Sequence, residues 1–156
     1  MGKVFEGCFT ELQADMISIC LEYAEEKADK VYVYCSFEKM VISCDFFYCI
    51  NGNIVRKHKL NDAVNDGSFQ YDTSSERQVA ALAVITDDIK SIYKLCKEYG
   101  KEMPTEIKLI YDVTKNSMRA NYRYDLVYTE DPRKTADDIA MEWFEEVKRH
   151  ESEKKP

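Results

Sequence analysis

The side chains that could perform acid–base or metal chemistry are few and poorly spaced. His58 lies in a basic Lys-His-Lys run and His150 in a charged terminal stretch, and neither belongs to a catalytic triad or an H-E-x-x-H motif. Cys44 and Cys49 could join His58 in a zinc site, but they point to opposite faces of one predicted strand, whereas zinc ligands come in close pairs on turns. The sequence therefore predicts no metal site and no cofactor.

Two pairs of adjacent acids, Asp87-Asp88 and Asp137-Asp138, are the remaining candidates for acid–base or metal chemistry. Adjacent acids on a helix are usually solvated surface groups. The five glycines are scattered, so the sequence contains no glycine-rich phosphate loop. No pattern indicates catalysis, and we expect a protein that is not an enzyme.

Charge indicates a different kind of function. The chain carries 29 acids and 22 bases, and this formal charge of -7 disfavours nucleic acid and anionic membranes as partners and favours a cationic one. Between residues 125 and 146 there are eight acids and two bases, with Tyr124 and Tyr128 beside them. Acids with aromatic anchors are typical of a protein interface. The alternative is a solvated helix face next to ordinary core tyrosines.

A second candidate for binding is the stretch from 61 to 75, whose composition is that of a loop. It mixes Asp62, Asp66 and Asp72 with Phe69 and Tyr71. A loop of this length inside a compact domain is uncommon and is often a binding segment. An excursion with no role is an equal alternative.

The cysteines bear on the compartment. Five of the six lie within apolar periodic runs, and none forms a C-x-x-C pair. The start of the chain lacks the apolar stretch of a signal peptide, and no segment is apolar over the length that a bilayer span requires. We therefore expect buried, reduced thiols in a cytoplasmic protein without a membrane partner.

Hydrophobic periodicity predicts the elements that must position these residues. Helical spacing predicts helices at about 10–28, 75–99 and 135–149, followed by a charged tail at 150–156 that frays. Capping-box spacing predicts that the first helix begins at Thr10, with Gln13, and the third at Thr135, with Asp138. Ser75 or Thr73 caps the second helix, and Gly100 ends it. Alternation predicts strands at about 30–36, 41–50, 54–60, 107–113 and 118–124, with hairpin turns at Asn51-Gly52 and at 114–117. This order, α-β-β-β-α-β-β-α, implies an α+β fold of about five mainly antiparallel strands with helices packed on one face. Residues 1–156 fit a single domain.

One segment resembles a known family. RANYRYDLVYTEDPRKTADDIAMEWFEE combines an aromatic-basic-aromatic-Asp strand end, an Asp-Pro break and a following helix that carries Trp143. It resembles the C-terminal part of the YezG-like immunity family, which are antitoxins of bacterial polymorphic toxin systems. The order of elements along the rest of the chain also agrees. The chain departs from the family pattern in its cysteine-rich strand from Cys44 to Cys49 and in the length of the helix and tail beyond Trp143.

The resemblance implies a cytoplasmic inhibitor that binds a cognate toxin domain, often a nuclease in this family, and blocks its active or substrate-binding surface. An acidic protein can occupy a basic nuclease groove in place of the phosphate backbone. Two alternatives stay open: an adaptor domain with an unrelated partner, and a ligand-binding protein with a pocket between the second helix and the sheet. The predicted partner contacts are Tyr124, Asp125, Tyr128, Glu130 and Asp131, with Asp66 and Asp72 of the loop.

Overall fold

The computed structural model describes residues 4–64 and 69–153. The predicted α+β class, the element order and the five antiparallel strands are confirmed. The elements are α1 (Val4–Tyr23), β1 (Lys30–Glu38), β2 (Val41–Ile50), β3 (Asn53–Arg56), a 3-10 helix (Lys57–Ala63), α2 (Ser75–Glu98), β4 (Glu106–Asp112), β5 (Ser117–Arg123) and α3 (Ala136–Glu153).

The strands form one sheet in the order β3-β2-β1-β4-β5. β1 is the central strand, and its Val- and Tyr-rich residues are buried on both faces along most of its length. β3 pairs only with the last part of β2, from Phe47 to Ile50. The first part of β2 therefore has a neighbour on one side only.

Helices cover both faces of this sheet. α1 and α2 pack on the face that carries Val31 and Val33, and α3 packs on the opposite face against Tyr32 and Tyr34. The expectation that the helices share one face holds for α1 and α2 but not for α3. The reason is that β1 is apolar at successive positions, so both of its faces must be buried.

The predicted third strand is shorter than expected. β3 ends at Arg56, and Lys57–Ala63 form a 3-10 helix in place of the strand end and the start of the loop. Leu60 is fully buried there, and Tyr23 Oη donates a hydrogen bond of 2.6 Å to the carbonyl oxygen of Lys57. These tertiary contacts override the local alternation.

The helix ends follow the capping rules in part. Ser74 caps α2 in place of the predicted Ser75 or Thr73, whereas Gly100 follows the end of the helix with φ of 66°, as predicted. α1 begins at Val4, well before the cap predicted at Thr10. α3 continues to Glu153, so the first part of the predicted frayed tail is helical, and 154–156 lie outside the described residues.

Two turns of the first three strands use left-handed backbone. Asn51 and Gly52 have φ of 52° and 79°, which matches the predicted hairpin turn. Lys39 and Met40, between β1 and β2, have φ of 52° and 65°, although neither residue type favours that region.

Cysteine burial agrees largely with the prediction. Cys20, Cys35, Cys49 and Cys96 are buried free thiols, whereas Cys8 and Cys44 are half-buried. No helix in the described ranges is both long and apolar enough to cross a membrane.

Candidate functional site

The predicted interface segment at 124–131 crosses one end of the sheet, where buried Glu38 holds it. Glu38 is the last residue of β1 and only 1% exposed. Its carboxylate accepts hydrogen bonds from the backbone N–H groups of Val127 (2.8 Å), Tyr128 (3.4 Å) and Thr129 (3.1 Å), and from Thr129 Oγ1 (2.5 Å). A buried carboxylate is tolerated only with such partners, so the contacts fix the segment against the sheet.

The charge state of Glu38 follows from the same contacts. Burial alone raises the pKa of Glu38, but the hydrogen bonds from Thr129, Val127 and Tyr128 outweigh it and lower the pKa below its ordinary value. Glu38 is therefore ionised at neutral pH. Sequence reasoning missed this residue, because an acid at a strand end gives no sign of being buried.

The two predicted tyrosine anchors lie on opposite sides of the sheet end. Tyr124 is 47% exposed and lies near Tyr122 and Cys96, on the side of α1 and α2. Tyr128 is half-buried and packs at the margin of the α3 core. The structure therefore does not bring both tyrosines into one patch.

The three acids of this segment differ in how free their charges are. Asp125 is held by Arg123 in a two-point ion pair, with Nε–Oδ1 at 3.1 Å and Nη2–Oδ2 at 2.7 Å. Asp131 Oδ1 accepts a hydrogen bond of 2.9 Å from the backbone N–H of Arg133. Glu130 is exposed and forms no ion pair with any residue that the structure describes. The charge of Glu130 is therefore more available to a partner than that of Asp125.

The first turn of α3 brings more acids to the same end. Thr135 and Asp138 form the predicted capping box, because the Thr135 N–H donates to Asp138 Oδ2 (2.9 Å) and the Asp138 N–H donates to Thr135 Oγ1 (3.3 Å). Glu142 Oε2 forms an ion pair with Lys134 Nζ at 2.6 Å, so its charge is compensated. Asp137 is exposed and has no ion pair within 4–64 or 69–153.

Exposed apolar side chains accompany these acids. Met40 is 65% exposed and Val41 is 57% exposed, at the turn between β1 and β2. Val41 lines a cavity of about 350 Å³ together with Tyr128 and Asp131, and two lysines, Lys39 and Lys134, also line it. Sequence reasoning overlooked this apolar pair, because a strand start usually contributes to a core. We use the name acidic ledge for Met40, Val41, Tyr128, Glu130, Asp131 and Asp137.

Asp72, a predicted contact of the loop, does not join the acidic ledge. Asp72 is exposed before α2, where its Oδ1 accepts a hydrogen bond of 3.0 Å from the Ser74 N–H, and it lies near Tyr23 at the end of α1. Tyr23 packs over the first half of β1, and the ledge lies at Glu38, the last residue of the same strand. The two places are roughly 20 Å apart along β1. Asp66 lies outside the described residues.

A cavity of about 400 Å³ opens beside the unpaired part of β2. Leu82 of α2 and Met141 of α3 lie on its two sides, and Cys44 and Asp45 lie at its base. There, Lys57 Nζ and Asp45 Oδ1 form an ion pair at 2.7 Å. The predicted alternative of a pocket between the second helix and the sheet corresponds to this cavity only in part, since Leu82 is its one lining residue from α2.

Asp88 carries a strongly shifted pKa, but it lies elsewhere. It is 7% exposed, and its Oδ2 has no hydrogen-bond partner in the described structure. Burial first, and the neighbouring Asp15 carboxyl second, raise the pKa of Asp88 to about 8. The sequence interpretation of a solvated Asp87-Asp88 pair is wrong for Asp88. The sequence feature that indicates burial is the position of Asp88 three residues after the buried Ile85, on the same face of the helix.

Cys44 packs against the α1/α2 core and Cys49 lies in the α3 core, so their predicted opposite orientation is confirmed. Within the described ranges, no group of three or more His, Cys, Asp or Glu side chains is arranged to hold a metal ion.

No protein-family model matches the chain, and no curated protein is similar to it. The chemistry of the surface itself must therefore support any function.

Proposed function

We propose that this protein binds and inhibits a basic partner protein, and that the partner is a toxin domain, as the resemblance of residues 119–146 to YezG-like immunity proteins implies. The observation that carries the proposal is the acidic ledge, which buried Glu38 holds in place. It places free carboxylates and exposed apolar side chains on one surface.

Rigidity is the first argument. A segment that is already ordered loses little conformational entropy when a partner binds, so more of the contact energy appears as affinity. Hydrogen bonds from three consecutive residues to Glu38 order the centre of the 124–131 segment before binding.

Charge is the second argument. Glu130 and Asp137 have no ion pair among the described residues, and the chain as a whole carries a formal charge of -7. Such a surface speeds association with a cationic partner and selects against anionic ones. Met40 and Val41 add apolar area, which interfaces need at their centre.

An acidic protein inhibits its partner when the basic residues that it covers are also those that bind the substrate. A nuclease holds the phosphate backbone in a groove lined by Lys and Arg. An acidic surface that occupies this groove competes directly with the substrate, so the inhibitor needs no chemistry of its own.

The first experiment is recovery of tagged protein from its native host, together with co-expression of the product of the adjacent gene. We expect a basic toxin domain whose lethality this chain suppresses in a growth assay. Recovery of an unrelated partner with no effect on growth would favour an adaptor, and no partner at all would favour a ligand-binding role for the cavity beside β2.

The second experiment reverses charges on the 124–131 segment. The variant Asp125→Lys, Glu130→Lys, Asp131→Lys should bind the recovered toxin at least tenfold more weakly, with a larger loss at lower salt. Its matched control, Glu11→Lys, Glu22→Lys, Glu98→Lys, changes the net charge equally at exposed positions on α1 and α2. Equal affinities for the two variants, measured by titration calorimetry, would place the interface elsewhere.

A further inference from the structure

We infer that the unpaired part of β2 binds an extended segment of the partner, which adds to the sheet as a further strand. The cavity beside β2 is then a docking groove for a peptide backbone. This inference takes from the proposed function only the basic character of the partner.

The strand register identifies the free backbone groups. Glu38 and Val41 flank the two-residue turn between β1 and β2, so they exchange hydrogen bonds, and Ser43 does the same with its own partner in β1. The alternate residues Ile42 and Cys44 point their N–H and C=O groups away from β1. β3 does not reach them, and neither makes a hydrogen bond on that side to any described residue.

The open part of β2 and the outer edge of β5 differ in their protection. Along β5, Arg119 and Arg123 place charges that discourage another strand from pairing. The open part of β2 reads Val-Ile-Ser-Cys before Asp45, with neither charge nor proline. An edge without these devices is a template for strand addition.

The edge lies at the base of a groove, which sets the pattern of the incoming segment. Leu82 and Met141 line the two sides of this groove, and Ile42 and Cys44 direct their side chains towards the α1/α2 core. Side chains of an added strand alternate between the two sides. Every second residue of the segment must therefore be apolar to pack beside Leu82.

Charge sets the polarity of the segment. An antiparallel strand that continues the line of β3 begins near Arg56, which pairs with Phe47, and ends beside Val41. α3 begins next to Val41, so Asp137 in its first turn lies at that end of the groove. The Asp137 carboxylate has no ion pair in the described chain. Arg56, Lys57 and His58 line the cavity at the other end, so a basic residue of the segment belongs at its C-terminal end, where it complements Asp137.

A synthetic peptide tests the strand addition directly. The probe is the capped hexapeptide Val-Thr-Val-Lys-Val-Lys, and the readout is amide hydrogen exchange in ¹⁵N-labelled protein. In the free protein, the amides of Ile42 and Cys44 should exchange much faster than that of Ser43. Millimolar peptide should slow exchange at Ile42 and Cys44 at least tenfold.

Two N-methylated peptides form a matched pair. Methyl groups on the second and third valine amides remove the donors that face β2 and should abolish the protection. Methyl groups on the two lysine amides, which point away from β2, should leave it. No protection by the parent peptide, or protection of Met118 and Ala120 at the β5 edge instead, would overturn the inference.

Variants of the protein give a second test. Cys44→Pro removes an outward N–H from the β2 edge and should abolish protection at Ile42, whereas Ala120→Pro makes the same change at the β5 edge and should not. Because proline could unfold the strand, Leu82→Glu provides an independent block of the groove. Its control is Val79→Glu, at an exposed position on the same helix.

The recovered toxin separates this inference from the proposed function. If the triple charge reversal loses the toxin while Cys44→Pro and Leu82→Glu retain it, the function stands and strand addition is wrong. If all of these variants still bind the toxin, then neither the acidic ledge nor the β2 edge is the binding surface. If sedimentation shows a dimer that Cys44→Pro dissociates, the edge belongs to a second copy of the chain, which also overturns the inference.

Discussion

The two faces of the sheet are covered unequally. α1 and α2 lie over one face, and their core reaches from β1 and β2 to Ile107 and Leu109 of β4. α3 alone covers the other face, where it contacts mainly β2 and β3. On that face Arg119 and Asn121 of β5 are exposed beside a second cavity of about 610 Å³.

This difference separates two tasks. The two-helix face contains most of the fully buried side chains and should determine global stability. The α3 face contains a smaller aromatic cluster around Trp143, next to the acidic ledge and the open edge of β2. Changes there should alter binding and local order before they unfold the domain.

Phe46 tests the two-helix face and has the largest expected effect. It is 1% exposed and its ring packs edge-on against Tyr23 at 5.2 Å. Phe46→Ala should lower the free energy of unfolding by about 4–5 kcal/mol, because a large and almost fully buried ring is removed from the α1/α2 core. Urea unfolding followed by circular dichroism and by Trp143 fluorescence should give one coincident transition.

Phe47 tests the opposite face from the next position of the same strand. Its ring stacks on Tyr32 at 4.6 Å and meets Trp143 edge-on at 5.1 Å. Phe47→Ala should lower the stability by about 3 kcal/mol, since α3 can partly close the gap. Trp143, the only tryptophan, should report loosening of α3 before circular dichroism reports global unfolding. Coincident transitions in both variants would contradict the proposed division between the faces.

Glu38 connects the sheet end to the ledge, so Glu38→Gln should have a smaller effect of about 1–3 kcal/mol at pH 7. The pKa of Glu38 is lower in the folded protein than in the unfolded chain, where it is about 4.3. Its contribution is therefore present above that pH and is lost as the pH falls through the folded pKa. Urea unfolding between pH 2 and pH 7 should show a shallower acid loss in the variant. Identical pH profiles for the two proteins would contradict an ionised Glu38.

The effect of Asp88 has the opposite sign and vanishes at low pH. The folded protein keeps the Asp88 proton up to a pKa of about 8, whereas the unfolded chain releases it near 3.9. Stability should therefore fall as the pH rises through this window. Relative to wild type, Asp88→Asn should gain about 1 kcal/mol of stability per pH unit as the pH rises from 4 to 8, with no difference below pH 4. The exposed neighbour gives a graded comparison, since the Asp87 charge is the last of the causes that raise the pKa of Asp88, and Asp87→Asn should shift the profile only slightly.

The sequence predicted the elements better than their arrangement. Alternation and capping residues are local signals, so the strands, the Thr135 cap and the Asn51-Gly52 turn could be located. The side of the sheet that α3 covers depends on long-range packing. Its clue was the run of successive apolar residues in β1, including Tyr32 and Tyr34, which require cover on both faces.

The candidate site was less predictable because its geometry depends on one buried acid. Charge density pointed to residues 125–146, yet only the contacts of Glu38 show which part is held rigidly. The sequence placed Tyr124 and Tyr128 together because they are close along the chain. The segment crosses the sheet end between them, and this crossing separates the two rings.

The Lys39-Met40 turn shows that this sequence stops short of its own stability optimum. A left-handed conformation costs a residue with a side chain roughly 1–2 kcal/mol, and the Asn51-Gly52 turn shows which residues relieve it. Natural proteins are maintained above a stability threshold rather than at a maximum. An engineer who seeks a more heat-resistant variant could therefore begin at this turn, outside the core, and would learn how much stability is given up to keep Met40 on the ledge.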